Sequence, residues 1–152
     1  MAKVGVMIEG QEGLNWDRWR LICQDAETLG FNSLRRSEHL FSVMGMVERD
    51  CIECWTSLAL AAQWTTRIEF GPMVSPMTFR HPAVLARELA SIDILSSGRL
   101  EVGLGAGYNP ADYRRSGIPM DPPGARVDRL IEHVEVLKSL WSDAATTFAG
   151  QH

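Results

Sequence analysis

The sequence alternates short apolar segments with amphipathic segments of helical period, and this alternation constrains the fold most strongly. Candidate strands lie at residues 4–8, 31–37, 68–74 and 100–104, and a segment with helical periodicity follows each of them. Because a helix between two strands returns the chain to the same edge of a sheet, the strands are expected to be parallel. Such units build an α/β fold, either an open doubly wound sheet or a closed (β/α)8 barrel. A barrel typically needs about 250 residues, so four units correspond to about half of one.

Capping signals mark the ends of the predicted helices. Asn15 suits the N-cap of the first helix, and Gly30 follows it where glycine tolerates a left-handed backbone. Pro82 suits the first turn of the third helix, and Gly98 ends it. The apolar positions expected to face the core are Trp19, Ile22, Cys23, Ala26 and Leu29, then Trp55, Leu58, Ala59 and Ala62, then Leu85, Leu89, Ile92 and Leu95, and finally Val127, Leu130, Ile131, Val134, Leu137 and Trp141.

Composition and charge favour a globular enzyme over a nucleic-acid or membrane protein. A net charge of −4 argues against a basic nucleic-acid surface. The longest purely apolar run, residues 58–62, is far too short to span a bilayer, and the amino terminus lacks the pattern of an export signal. An odd number of cysteines fits a reducing compartment. We therefore expect residues 1–152 to form a single cytoplasmic domain that binds neither nucleic acid nor membrane.

The segment Cys51-Ile-Glu-Cys54 has the spacing of a redox or zinc motif. A zinc site needs four ligands, and no second cysteine pair or paired histidines accompany this segment. We interpret these cysteines as structural thiols and expect no metal site.

A glycine-rich segment, Gly103-Leu-Gly105-Ala-Gly107, follows the fourth predicted strand and leads into a helix start at Asn109-Pro110-Ala-Asp112. Glycines at this place let a ligand approach the main chain, and free N–H groups there favour an anion such as phosphate. The spacing differs from the dinucleotide G-x-G-x-x-G pattern. A tight strand–helix turn without a ligand explains the segment equally well.

Glu38 and His39 fall at the end of the second predicted strand, which is the ligand-binding edge of a parallel sheet. An imidazole there can act as an acid or a base near neutral pH, and a neighbouring carboxylate can bias its protonation. Successive strand residues point to opposite faces, so both side chains reach one ligand only where the strand ends. Position alone leaves a functional and a structural role for His39 equally open.

The third predicted strand ends unusually, in Gly71-Pro-Met73-Val74-Ser75-Pro76. Two prolines and a glycine at a strand end indicate a bulge or an uncommon peptide bond, features that often lie beside ligand sites. A plain loop is the alternative.

Three long segments of the chain resemble the amino-terminal half of the luciferase-like monooxygenase superfamily, whose members are (β/α)8 barrels that use FMN or coenzyme F420. They are AETLGFNSLRRSEHL at 26–40, FGPMVSPMTFRHPAVLARELASIDILSSGRLEVGLGAGYNPADYRRSGIP at 70–119 and DPPGARVDRLIEHVEVLKSLW at 121–141. The sequence is most similar to the branch of F420-dependent oxidoreductases.

This resemblance implies a cofactor site. It implies a non-prolyl cis peptide at Met73-Val74 behind the flavin ring, with Ser75 beside it. It also implies that Glu38 and His39 line the active site. The loop that borders the flavin then comprises Ala106, Gly107, Tyr108 and Asn109.

The chain departs from the family pattern at three positions and in length. Glu38 stands where Asp is usual, Tyr108 stands where Trp is frequent, and Arg35 brings a charge toward the pocket. Family members continue for roughly as many residues again, and their phosphate site is expected in that other half, near strands seven and eight. The resemblance therefore predicts a fragment of a longer polypeptide, with a barrel completed by two copies as the alternative.

The resemblance implies hydride transfer between F420 and a small organic substrate, with His39 as acid or base and Glu38 as its partner or a substrate contact. We expect the protein to form a homodimer. One alternative is an FMN-dependent monooxygenase that uses O₂, and another is a non-catalytic flavin-binding or self-assembling half-barrel. A third alternative, an open-sheet nucleotide-binding domain, predicts a trans peptide at Met73-Val74.

Overall fold

The computed structural model describes residues 2–45, 48–142, 145 and 147–152. The strands in this part of the chain are β1 (Gly5–Ile8), β2 (Ser33–Arg36), β3 (Glu69–Pro72), β4 (Ser75–Pro76) and β5 (Leu104–Gly105). The helices are α1 (Trp16–Thr28), α2 (Cys54–Trp64), α3 (Pro82–Ser96), α4 (Pro110–Ser116) and α5 (Pro123–Leu140), and a 3₁₀ turn spans Met77–Phe79. The alternation of strands and helices follows the prediction from the sequence.

All strand pairs are parallel, as predicted, and the strands lie side by side in chain order. Val6 of β1 pairs with Leu34 of β2, which pairs with Phe70 of β3. The predicted fourth strand begins with a parallel bridge from Leu100 to Phe70 and continues as β5, which pairs with β4. This order brings the carboxyl ends of the strands to one edge of the fold.

The two faces of the sheet differ in burial. Leu34 and Phe70 are fully buried on the face that packs against the helices, whereas Met7 of the opposite face is exposed. Arg35, opposite Met7 in the register, forms an ion pair with Glu101 and donates from Nη1 to the Glu101 carbonyl oxygen over 2.9 Å. Arg35 is thus held on this face and does not line the cavity at the strand ends, contrary to the expectation from the sequence.

The predicted helix ends are confirmed. The Asn15 side chain accepts a hydrogen bond from the Arg18 N–H at the start of α1, and Gly30 has a φ of 83° just after its end. Pro82 opens α3, and Gly98 follows it with a φ of 82°. These signals act within a few residues of chain and so depend little on the rest of the fold.

Most of the predicted inward positions are buried, and five are wrong. Those five side chains are 47–75% exposed: Leu29, Leu95, Val127, Ile131 and Trp141. The first follows the last turn of α1, where the chain leaves the helix. Val127 and Ile131 lie on α5, and Trp141 is its C-cap. Helix α5 packs against α3 and the 3₁₀ turn along one side, so only part of its apolar surface is covered.

The cysteines are free thiols. Burial raises the pKa of Cys23 to about 12 and also raises that of Cys54, whereas Cys51 is exposed at the surface. Within the described residues, no group of three or more His, Cys, Asp and Glu side chains is arranged to hold a metal ion. No helix in this part of the chain is long and apolar enough to span a membrane.

Candidate active site

A cavity of about 450 Å³ lies at the carboxyl ends of the parallel strands. Of the nine site residues predicted from the sequence, eight line this cavity: Glu38, His39, Met73, Val74, Ala106, Gly107, Tyr108 and Asn109. The ninth, Ser75, is buried beneath the wall and does not line it. The cavity therefore unites three segments that are remote in sequence: the end of β2, the connection from β3 to β4, and the loop after β5.

The peptide bond between Met73 and Val74 is cis, as the resemblance predicted. It joins β3 to β4, and the side chains of both residues are exposed at the cavity, at 48% and 42%. The trans peptide expected of an open-sheet nucleotide-binding domain is absent from this position. The connection gives the cavity an apolar wall.

The closeness of this wall explains why two positions of the motif after the fourth strand are glycine. A Cβ at Gly105 would lie 2.5 Å from Val74 Cγ2, and one at Gly103 would lie 2.8 Å from the Pro72 carbonyl oxygen. These glycines therefore let the β3–β4 connection approach the fourth strand. Protein atoms thus occupy the space where a side chain would lie, although Gly105 also lines the cavity.

The third glycine, Gly107, has a φ of 78°, and a Cβ there would collide with the Tyr113 hydroxyl. Arg126 of α5 donates from Nε to the Gly107 carbonyl oxygen over 3.1 Å. Helices α4 and α5 thus fix the loop at residues 106–109. The motif shapes one wall of the cavity, and its predicted use as a phosphate cradle finds no support, because the lining also contains no Lys or Arg.

His39 is held by Asp112, the third residue of α4. Its Nδ1 lies 2.7 Å from Asp112 Oδ2, and both side chains are nearly buried, at 10% and 2% exposure. Asp112 Oδ1 also accepts hydrogen bonds from the backbone N–H groups of Leu40 and Phe41, over 3.0 and 3.2 Å. One carboxylate therefore orients the imidazole and the loop that follows β2.

Tyr108 lies on the other side of the imidazole. Its hydroxyl oxygen is 3.5 Å from His39 Nε2, and the two rings meet edge to face with centroids 5.6 Å apart. Tyr108 is 71% exposed, so its ring forms part of the cavity rim. The Nε2 edge of His39 consequently faces the cavity.

Glu38 lines the cavity, but its carboxylate binds Ser75 and Arg80 rather than His39. Oε2 accepts a hydrogen bond from Ser75 Oγ, and Oε1 forms an ion pair with Arg80 Nη1, each over 2.5 Å. Asp112 is the carboxylate on His39, so the interpretation of Glu38 as its partner is corrected. Glu38 and His39 therefore have different partners, although both line the cavity.

Arg80 connects Glu38 to the outer part of the fold. Its guanidinium also pairs with Glu53 over 2.8 Å and with Glu88 over 3.3 Å. Burial lowers the pKa of Arg80, but the three carboxylates outweigh burial and raise this pKa above its ordinary value. Arg80 therefore stays charged and anchors Glu38, which in turn holds Ser75 next to the cis peptide.

Sequence reasoning missed the roles of Asp112 and Arg80. Asp112 drew attention only as part of a helix start, since 73 residues separate it from His39. Arg80 precedes the helix-opening Pro82, and no local pattern indicates its pairing with Glu38, 42 residues earlier. Both contacts exist only in three dimensions.

Comparisons with known proteins agree with this geometry. The family model described as luciferase-like monooxygenase matches residues 1–152. The F420-dependent hydroxymycolic acid dehydrogenase of Mycobacterium tuberculosis is 34% identical over 98% of this chain and 41% of its own length. The pyrimidine monooxygenase RutA of Pseudomonas syringae pv. syringae is 30% identical over 86% of this chain and 37% of its own length.

A solved structure shows the same fold. The F420-dependent secondary alcohol dehydrogenase, in complex with an F420-acetone adduct, superposes with a TM-score of 0.87 over 99% of this chain and 45% of that chain, at 24% identity. The chain thus spans roughly two-fifths of the length of the proteins it matches. Its α/β fold is that of the corresponding part of these barrel enzymes, and the chain belongs to the luciferase-like monooxygenase family.

Proposed function

We propose that the protein is an F420-dependent oxidoreductase that transfers a hydride between the deazaflavin and a small organic substrate. The observation that carries this proposal is the single cavity into which His39, the cis Met73-Val74 connection and the loop at residues 106–109 converge. An imidazole beside a flat apolar wall suits paired transfer of a proton and a hydride. The dehydrogenase relative that aligns with 98% of the chain supports the choice of F420.

The lining of the cavity fits a flavin-type ring. The exposed side chains of Met73 and Val74 offer an apolar surface for one face of the ring, and Tyr108 and Asn109 lie at its border. When bound, the deazaflavin supplies the carbon centre that accepts or gives the hydride. We further propose that residues outside this cavity bind the phosphate, because the lining contains no basic side chain for it.

His39 is the proposed acid or base. Its Nε2 faces the cavity, where it can take the proton of a substrate hydroxyl as the hydride leaves the adjacent carbon. In the reverse direction the protonated imidazole returns the proton to the carbonyl oxygen. Glu38 is proposed to support the cofactor wall through Ser75 and to contribute little to proton transfer.

The second candidate is an FMN-dependent monooxygenase that uses O₂. The similarity to pyrimidine monooxygenase RutA favours it, and an apolar wall suits the isoalloxazine ring of FMN as well as the deazaflavin.

We also propose that the chain supplies the first four βα units of a barrel, in a cytoplasmic homodimer. Light scattering of the purified protein tests the dimer.

Replacement of His39 by Ala tests the proposed reaction. We expect turnover of F420 with an alcohol or carbonyl substrate to fall by about 10²–10⁴-fold, the usual contribution of a positioned acid or base. Binding of F420 and of FMN is followed by the change in cofactor fluorescence, and His152→Ala serves as a histidine control outside the cavity.

Equal turnover by wild type and His39→Ala would refute the assigned role. Turnover with reduced FMN and O₂ alone would favour the monooxygenase, and binding without any turnover would favour a non-catalytic module.

A further inference from the structure

We infer that Asp112 is a positioning residue that fixes the tautomer of His39, with the proton on Nδ1 and the lone pair of Nε2 directed into the cavity. This inference rests on the proposed function for the role of His39 in turnover. The geometry itself concerns only side chains of this chain, and it can be tested without any cofactor.

The tautomer follows from the donors and acceptors around Asp112. An ionised carboxylate only accepts hydrogen bonds, so a ring nitrogen 2.7 Å from Asp112 Oδ2 must carry a proton. The same carboxylate accepts from the Leu40 and Phe41 N–H groups and from Asn109 Nδ2, over 3.0, 3.2 and 3.1 Å. Four donors converge on one carboxylate, an arrangement suited to its ionised form. In neutral His39 the Nε2 atom therefore has no proton.

The position of Asp112 in the fold makes this arrangement rigid. Asp112 is 1% exposed and lies in the first turn of α4, whose N-cap Asn109 accepts from the Ala111 N–H over 3.2 Å. Asn109 thus caps the helix and also binds Asp112. Because the carboxylate is held from both the helix and the loop, the imidazole can turn only if one of them moves.

This tautomer determines that neutral His39 accepts a proton at Nε2. A bare Nε2 accepts a proton, so the resting imidazole enters the reaction as a base. The substrate O–H bond would break with its proton moving to Nε2, and the O–H electron pair would form the C=O bond. The hydrogen of the adjacent C–H bond would leave with the bonding pair as hydride, for which a bound deazaflavin would be the oxidant. The imidazolium that results is stabilised by the Asp112 carboxylate across the 2.7 Å contact.

A purely structural role for Asp112 predicts different behaviour. In that case the carboxylate would serve only to tie the loop to α4 through Leu40 and Phe41. Asp112→Asn separates the two roles, because its side-chain oxygen can still accept from the loop amides, whereas an NH₂ group facing His39 would place a donor against Nδ1. The variant should therefore move the proton from Nδ1 to Nε2 with little effect on the loop.

The experiment is ¹⁵N NMR of the imidazole in the full-length protein as wild type, Asp112→Asn and Asp112→Glu, with Arg114→Ala as a control on the exposed side of α4. We expect the Nδ1–H tautomer in the wild type, the Nε2–H tautomer in Asp112→Asn, and recovery of the Nδ1–H tautomer in Asp112→Glu.

Kinetics provide the second readout. Asp112→Asn should lower kcat by about 10²-fold or more and leave KM within a few-fold. An Nε2–H tautomer in the wild type, or an unchanged tautomer in Asp112→Asn, would overturn the inference whatever the enzyme does. A changed tautomer with unchanged kcat would overturn the positioning role while leaving the proposed oxidoreductase intact. A changed tautomer in a protein that turns over no cofactor would support the assignment and refute only the proposed function.

Discussion

At the scale of single residues, Glu38 and His39 are neighbours in the sequence but have different roles in the site. His39 faces the cavity with its imidazole, and Glu38 is buried against Ser75 and Arg80. The order Glu-His in the sequence suggests a working pair, but the two side chains have different partners. The carboxylate that contacts the imidazole is that of Asp112, from α4.

Replacement of Glu38 by Gln tests the buried ion pair. The variant keeps an oxygen that can accept from Ser75 but removes the charge opposite Arg80, so we expect the free energy of unfolding to fall by about 1–3 kcal/mol. Cofactor affinity should fall more than kcat, because Glu38 holds Ser75, which is buried beneath the cavity wall. Urea unfolding and cofactor titration measure the two effects.

Glu88→Gln is the matched control, since it also neutralises a partner of Arg80. Burial raises the pKa of Glu88 against the opposing effect of Arg80, and the side chain is 37% exposed. Neutralising it should therefore cost less than about 1 kcal/mol. Equal destabilisation by the two variants would show that Glu38 has no special place in the cluster.

At the scale of elements, the fourth strand and the β3–β4 connection fit each other. Gly103 and Gly105 lack side chains where the connection bends toward them, and Val74 fills the resulting space. A motif that suggested ligand binding from its sequence is thus explained largely by contact between two strands. The glycine positions could be predicted to be special, but the partner that occupies them could not.

Gly105→Ala should disturb this contact. The added Cβ lies 2.5 Å from Val74 Cγ2, so we expect a loss of about 1–3 kcal/mol in the free energy of unfolding. A second change, Val74→Ala, should recover most of the loss in the double variant, because it removes the colliding methyl groups. Thermal unfolding of the four proteins in this cycle measures the coupling.

Gly124→Ala provides the control for glycine replacement itself. A Cβ at Gly124 meets nothing within 4 Å, and the residue lies in the first turn of α5. We expect this variant to be as stable as the wild type or more stable by about 0.5–1 kcal/mol. Destabilisation by Gly105→Ala without recovery in the double variant would rule out Val74 as the cause.

At the scale of the whole molecule, prediction from sequence succeeded where the signal was local or periodic. The parallel strands follow from the alternation of strands and helices, and the structure confirms them. The Asn15 cap and the glycines after α1 and α3 depend on a few adjacent residues and are also confirmed. The cis peptide at Met73-Val74 came from family resemblance, not from the chemistry of its residues. The Asp112 and Arg80 contacts could not be predicted, because each joins side chains more than 40 residues apart.

The fold also contains a carboxylate that ties distant segments together and should govern its acid stability. Glu27, near the end of α1, accepts from the backbone N–H groups of Thr66, Arg67 and Ile68, just before β3. Partial burial raises the pKa of Glu27, but these donors and the Arg67 charge outweigh it and lower this pKa below its ordinary value. The ionised form therefore stabilises the folded state.

Glu27→Gln should reveal this contribution as a function of pH. Because the folded-state pKa is lowered, the stabilisation is fully present above the unfolded pKa of about 4.3 and disappears as pH falls through the lower folded pKa. We expect the variant to be less stable by about 1 kcal/mol at pH 7 and nearly equal to the wild type in strong acid. Urea unfolding from pH 7 to pH 3 measures the difference, with Asp25→Asn as an exposed control. A difference that stayed constant with pH would contradict this account.

The shared carboxylate of Asp112 limits how the loop after β2 can be redesigned. Residues 40 and 41 offer their backbone N–H groups to the same side chain that orients the imidazole. A loop transplanted here to admit a different substrate must reproduce those two amide directions, whatever its side chains. Substitutions at residues 42–45 leave these two amides in place and should not rotate the ring of His39.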